Sequence, residues 1–226
     1  MKLSIVIPVY NEIESIEELL RRVQSVPQEK EIILVDDAST DGSKEWISQL
    51  SISNVTVLFH DRNKGKGAAL RTGFEHVTGD IVIVQDADLE YDPRDYDRLI
   101  EPILDGRGDV VYGSRFTGGP QRVLFFWHYV GNKFLTLLSN MFTNLNLSDM
   151  ETCYKVFRAE LLKQFTITSN RFGFEPEITA KFAKLRCRIY EVPISYSGRN
   201  YEEGKKITWR DGLAAFFHII RFRFFD

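Results

Sequence analysis

The chain has 226 residues, 43% hydrophobic and 27% charged, with a formal net charge of −3 and a pI near 5.9. That length suits one well-buried core, and the slightly acidic balance excludes a general nucleic-acid binder, which needs a basic surface to displace phosphate counterions. Cys153 and Cys187 lack metal-ligand spacing and read as reduced, packed thiols of a cytoplasmic protein; no secretion signal is apparent, and no apolar run approaches the roughly 20 residues that span a bilayer.

Short β-branched runs alternate with amphipathic segments, the pattern of parallel βαβ units. LSIVIPV is a first strand. Asn11 is placed to cap the next helix, with Glu14 at the capping-box position and Ile13, Ile16, Leu19, Leu20 and Val23 on one face. EIILVDD is a second strand, a helix starts near Asp41, VTVLFH is a third strand, and GKGAALRTGFEHV is the helix after it. DIVIVQDAD predicts a fourth strand. Pro93, following Asp92 as cap, opens a helix over about 94–104, and DVVYGSR is a fifth strand. After Gly119 the alternation gives way to an aromatic-rich segment in which Val123, Trp127, Val130, Phe134, Leu137, Leu138, Met141 and Leu145 recur at helical spacing. RIYEVPISY is the last strand, before a basic loop and a terminal helix containing WRDGLAAFFHIIRFRFF. The expected fold is a single α/β sandwich domain over 1–226, binding its ligand at the carboxyl ends of the strands.

Three polar clusters fall at those ends: PVYNE at 8–12, VDDAST at 35–40 and QDADLE at 85–90. Carboxylates packed behind a buried strand repel one another, so a cation is expected among them. Asp86 and Asp88, two apart on extended backbone, point the same way, and Glu90 can join them. Such hard oxygen donors suit Mg2+ or Mn2+, which complete their shells with water and phosphate oxygens. A diphosphate ligand follows. NKGKG lacks the Ser or Thr that follows Gly-Lys in a P-loop and reads as a helix start. His60, His76, His128 and His218 share no spacing and read as structural.

With PVYNE, VDDASTDGS, NKGKGAALRTGF, DADLEYDP and GSRF in this order and spacing, the chain resembles the family 2 glycosyltransferases of GT-A fold, a Rossmann-like three-layer α/β/α sandwich with a mostly parallel sheet. Within them it most resembles the dolichyl-phosphate or polyprenyl-phosphate mannose synthase-like enzymes. The resemblance implies that residues 1–118 bind a nucleotide sugar and residues 119–226 an acceptor. It implies that Pro8, Tyr10, Glu12, Val35 and Asp37 hold the nucleotide. Asp86, Ala87, Asp88 and Glu90 would hold metal and diphosphate, with Asp88 and Glu90 as direct ligands. Arg115, Arg199 and Lys205 would contact the donor and acceptor phosphates, with GRNYEEGKK as a closing lid.

The implied reaction is a metal-dependent, inverting transfer of a hexose from GDP-mannose or UDP-glucose to a polyprenyl phosphate. A phosphate acceptor needs no general base. A hydroxyl of a glycolipid or polysaccharide, the alternative acceptor, needs one, and Asp149, Glu151, Glu175 and Glu177 are the available carboxylates. A non-catalytic nucleotide-sugar-binding module is the outside alternative. The aromatic segment and the terminal helix, with Phe216, Phe217, Phe222, Phe224 and Phe225 among Arg221 and Arg223, read as helices lying on the cytoplasmic face of a membrane. A homo-oligomer burying both is the competing expectation.

Overall fold

The computed structural model describes residues 1–118, 122–123, 125–200 and 209–225. Seven strands form one sheet: β1 (Leu3–Val9), β2 (Lys30–Asp36), β3 (Val55–Phe59), β4 (Ile81–Val84), β5 (Val110–Ser114), β6 (Lys155–Arg158) and β7 (Ile189–Pro193), in the order β3-β2-β1-β4-β6-β5-β7. All neighbours are parallel except β6, which runs antiparallel to both β4 and β5. Ile5, Ile7, Ile32, Leu34, Ile81 and Ile83 are fully buried, as expected of central strands covered on both faces. The helices are α1 (Ile16–Ser25), α2 (Ser43–Ser48), α3 (Lys66–Phe74), α4 (Tyr96–Leu104), α5 (Phe126–Thr143), α6 (Phe174–Lys184) and α7 (Trp209–Phe224). The mostly parallel α/β architecture is the one the sequence predicts.

Local departures have physical causes. The first helix begins at Ile16 behind Ser15, because Asn11 takes a left-handed conformation (φ 53) and its side-chain oxygen accepts from Thr40 N at 2.8 Å. That bond ties the loop after β1 to the loop after β2 in place of a helix cap. The predicted fourth strand stops at Val84, short of the aspartates. Asp86 to Glu90 form a turn with Leu89 at φ 62, in which Glu90 N donates to Asp88 Oδ1 at 3.1 Å. The turn, and not extended backbone, therefore sets the carboxylate spacing. Asp92 caps as expected, accepting from Arg94 N at 3.0 Å ahead of a 3-10 turn that runs into α4. β6 and α6 were not legible. Their sequences, KVFR and FEPEITAKFAK, are too short or too mixed to carry a clear period.

α3 lies close on the sheet, where a Cβ on Gly73 would stand 2.4 Å from Val6 Cγ1. Gly65 (φ +94) and Gly67 are required for a different reason: a side chain there would meet the backbone oxygens of Asn170 and Ser169 at 2.2 and 2.3 Å. The NKGKG segment is thus a helix start overlaid by the loop before α6, and Ala68 N donates to Asn170 O at 3.1 Å.

Candidate active site

The ends of β1, β2 and β4 meet in one cleft. Pro8 and Val35 are register partners on adjacent strands; Val35 is fully buried in the core and supports the cleft without facing it, whereas Tyr10 is exposed at its rim. Ala87 is buried beneath the turn.

Asp37 is occupied by its own fold. Its Oδ1 accepts from Lys64 N at 2.8 Å and from His60 Nδ1 at 2.6 Å, and its Oδ2 accepts from Gly65 N at 2.7 Å. It clamps the loop between β3 and α3, with the His60 ring passing the linkage on to Thr72 Oγ1 at 3.0 Å. The unpartnered oxygen of the pair belongs to Asp36, whose buried Oδ1 has no hydrogen-bond partner among the described residues. The sequence places Asp36 in the VDDAST cluster without a role of its own and reads His60 as structural; nothing local marks either.

The segment after β7 returns across the cleft. Tyr196 pairs with Tyr91, Ser197 N donates to Glu90 O at 2.9 Å, and Tyr196 Oη donates to Glu90 Oε2 at 2.8 Å. This carries Arg199 into the carboxylates. Its guanidinium lies 3.2 Å from Glu12 Oε2, 3.2 Å from Asp88 Oδ2 and 3.5 Å from Glu90 Oε1. Asp86 stands apart from this group: both of its oxygens lie within 3.0 Å of Lys66 Nζ, which also reaches Glu175 Oε1 at 3.0 Å. The expected metal set of Asp86, Asp88 and Glu90 is therefore split. Among the described residues no three His, Cys, Asp or Glu side chains are arranged to hold a metal ion.

A charge deficit nonetheless remains. Five carboxylates face two cations, and burial, then the charges of Asp86 and Glu90, push the Asp88 carboxyl up to about 8 in spite of Arg199. The guanidinium stands where a hard cation would be welcome. The donor set fits Mg2+ or Mn2+ held by few protein oxygens, the rest of the shell coming from phosphate and water.

Arg115 is likewise engaged differently from expectation. It forms a buried fork on Asp149, Nε to Oδ2 at 2.7 Å and Nη2 to Oδ1 at 2.7 Å, and lies 5.2 Å from the centre of the Tyr196 ring. Its own backbone N–H and Asn132 Nδ2 also donate to Asp149. Burial pushes the Asp149 carboxyl up, but the Arg115 charge and hydrogen bonds outweigh it and hold the group below its ordinary value. A carboxylate so fully donated to is a poor base. Glu177 is similarly saturated, accepting from Thr168 N, Thr168 Oγ1 and Ser169 N. Lys205 lies outside the described residues, as does most of the expected lid.

Glu151 is a second carboxyl, after Asp88, able to hold a proton. Burial first, then the charge of Glu175, raises it from 4.5 to about 8, with Lys155 and Arg115 pulling the other way. Between those values the folded chain keeps a proton that the unfolded chain releases, so this contribution to stability is complete below pH 4.5 and is lost as pH rises through about 8. The melting temperature of the ligand-free protein should accordingly fall with pH across that window. Glu151→Gln should flatten the decline; an unchanged slope by calorimetry would show that Glu151 titrates normally.

Fold and site together define an open α/β domain with a charged cleft at the carboxyl ends of its parallel strands, the arrangement of an enzyme that handles a phosphorylated ligand. The chain belongs to glycosyl transferase family 2, whose sequence model matches residues 4–166. Among solved structures it is similar to glucosyl-3-phosphoglycerate synthase from Mycobacterium tuberculosis. A complex of that enzyme with Mn2+, uridine diphosphate and phosphoglyceric acid superposes with a TM-score of 0.76 at 20% identity, covering 100% of this chain and 79% of that one. A complex with Mn2+, UDP-glucose and phosphoglyceric acid gives 0.73 at 20% identity over 98% and 79% of the two chains. A further crystal structure of that enzyme gives 0.73 at 21% identity over 98% and 80% of the two chains. At this identity the likeness is one of fold.

Proposed function

We propose that the protein transfers a hexose from a nucleotide sugar to a lipid phosphate at a membrane surface, as the dolichyl- and polyprenyl-phosphate mannose synthase-like members of the family do. The observation that carries the donor half is the convergence of Glu12, Asp88 and Glu90 on Arg199, a cation-binding cleft at the strand ends. UDP-glucose and GDP-mannose are the candidate donors; the UDP and UDP-glucose complexes of the fold relative support the first. On this reading residues 1–118 hold the nucleotide, and residues 119–226 hold the acceptor and close over the donor from the other side.

The acceptor oxygen attacks the anomeric carbon as the bond from that carbon to the nucleoside diphosphate breaks, with inversion. Mg2+ or Mn2+, when bound, supplies Lewis-acid stabilisation of the departing diphosphate. Asp88, with Glu90 beside it, would hold the ion, and Arg199 would move from the carboxylates to the phosphates as they enter, its fork matching their oxygens. Arg115 positions Asp149 and the loop around it and has no charge left over for a phosphate.

The lipid half rests on α5. Its polar side faces the protein: Asn132 bonds Asp149, Lys133 bonds Ser148 O, Thr136 accepts from Met150 N, and Asn140 bonds Leu147 at both N and O. Its apolar side faces outward, with Trp127 77%, Leu137 57% and Met141 69% exposed, alongside Phe126, Val130 and Phe134. A helix turned this way seeks an apolar environment. α7 packs beside it through Phe142 and Phe224 and adds exposed Leu213, Phe217 and Phe225 with Arg221 and Arg223. No helix among the described residues is long and apolar enough to cross a membrane; the contact proposed for α5 and α7 is one of helices lying on its surface.

The test is mass analysis of products from UDP-glucose or GDP-mannose with Mn2+ and a short polyprenyl phosphate in anionic vesicles. Transfer is expected, and replacing Trp127, Phe134 and Leu137 together by serine should weaken vesicle co-sedimentation more than tenfold without lowering the melting temperature, since all three are exposed. A self-associating chain that ignores vesicles would instead make the face an oligomer interface. A hydroxyl acceptor is the second reading, favoured by Glu151, whose value near 8 suits a base at neutral pH.

A further inference from the structure

Three buried polar atoms behind the cleft have no hydrogen-bond partner among the described residues: Glu151 Oε1, Thr152 Oγ1 and Glu175 Oε2. Thr152 is fully buried and Glu175 is 4% exposed. Buried polar atoms of this kind are normally completed by a ligand or a fixed water.

Two lysines build the place. Lys66 bridges Asp86 and Glu175, holding Glu175 by its Oε1 and fixing that carboxylate one ammonium away from the metal-side turn. Lys155, itself fully buried, donates to Met150 O at 3.1 Å and to Thr152 O, shaping the loop that presents Glu151 and Thr152. Cys153 Sγ approaches Val84 O at 3.7 Å, which sets the loop of residues 151–153 against the end of β4, beside the turn that Lys66 bridges to Glu175.

The chemistry of the open atoms selects the ligand. The Lys66-held Glu175 carboxylate accepts hydrogen bonds and repels anions, so a phosphate is disfavoured, while the Thr152 hydroxyl and the Glu151 carboxyl can each accept or donate. A neutral group rich in O–H donors is complementary.

We propose that Glu151, Thr152 and Glu175 form the subsite for the hydroxyl groups of the transferred hexose, with Lys66 as the positioning residue that sets Glu175 relative to Asp86. The proposal rests on the donor assignment above and adds the residues that choose the sugar.

Calorimetric titration with Mn2+ separates the two. Wild type, Thr152→Val and Glu175→Gln would each be titrated with UDP-glucose, GDP-mannose and the matching nucleoside diphosphates, and with donors lacking single sugar hydroxyls. Each variant is expected to bind the preferred nucleotide sugar about 10- to 100-fold more weakly, as for loss of one hydrogen bond to a buried charged or polar group. Affinity for the nucleoside diphosphate should stay within about twofold. A deoxy-sugar donor should lose a similar factor in wild type and no further factor in the variant. Thr152→Val preserves shape, so it carries the test should Glu175→Gln melt early.

Equal losses for nucleotide sugar and nucleoside diphosphate would overturn the proposal, since the atoms would then serve the diphosphate. Unchanged donor affinity overturns it too: with turnover lost, the site activates an acceptor; with turnover kept, it holds water. Failure of wild type to bind either nucleotide sugar at millimolar concentration removes the donor assignment, and this subsite with it.

Discussion

Asp88→Ala is expected to reduce sugar transfer about a hundred- to a thousandfold, the scale for losing one preorganised group that balances charge on a departing oxyanion. Asp88 is crowded by Asp86 and Glu90 and shares the one guanidinium of Arg199 with Glu12 and Glu90. A divalent ion relieves that crowding, so its removal should cost activity and not stability. The variant loses a partly buried carboxyl crowded by like groups and should melt at the same temperature as wild type or higher. Calorimetric melting and product formation in saturating Mn2+ check both halves. Undiminished turnover would remove Asp88 from the metal, and a large drop in melting temperature would make its role structural.

Arg199→Ala should have the opposite balance. Glu12, Asp88 and Glu90 would be left without the cation they share, so the ligand-free variant should be less stable than wild type. Mn2+ should then raise its melting temperature by more than it raises that of wild type, because ion and guanidinium compete for the same oxygens. Transfer is expected to fall about a hundredfold through loss of the phosphate fork. Arg199→Lys should restore more of the stability than of the transfer, since an ammonium keeps the charge without the planar geometry. Equal Mn2+ shifts in wild type and Arg199→Ala would show that the ion binds away from these carboxylates.

Much of the molecule was legible where a signal is local. The alternation of β-branched runs with amphipathic segments announced the parallel strands, and Asp92 ahead of Pro93 announced a helix start. The clustering of PVYNE, VDDAST and QDADLE at strand ends announced a cleft, since strands in a parallel sheet end on one side. The helical spacing of Trp127, Phe134 and Met141 announced an apolar face, and Lys133 and Asn132 opposite it gave no warning that the polar side would be the one turned inward.

What the sequence by itself determined is the set of elements and the chemical character of the cleft, because periodicity, capping and the polarity of strand ends depend on residues a few positions apart. Tertiary structure alone decided which charge meets which. Asp37 is committed to His60, Lys64 and Gly65, Arg115 to Asp149, Asp86 to Lys66, and Arg199 arrives from 109 residues beyond Glu90 to close the acidic cluster. The cause is β6, a four-residue antiparallel strand inserted between β4 and β5, which brings Glu151, Thr152 and Lys155 behind the acidic cleft. Its place is set by burial of Val156 and Phe157 against the sheet's distant strands, a long-range packing preference that four residues of sequence do not encode.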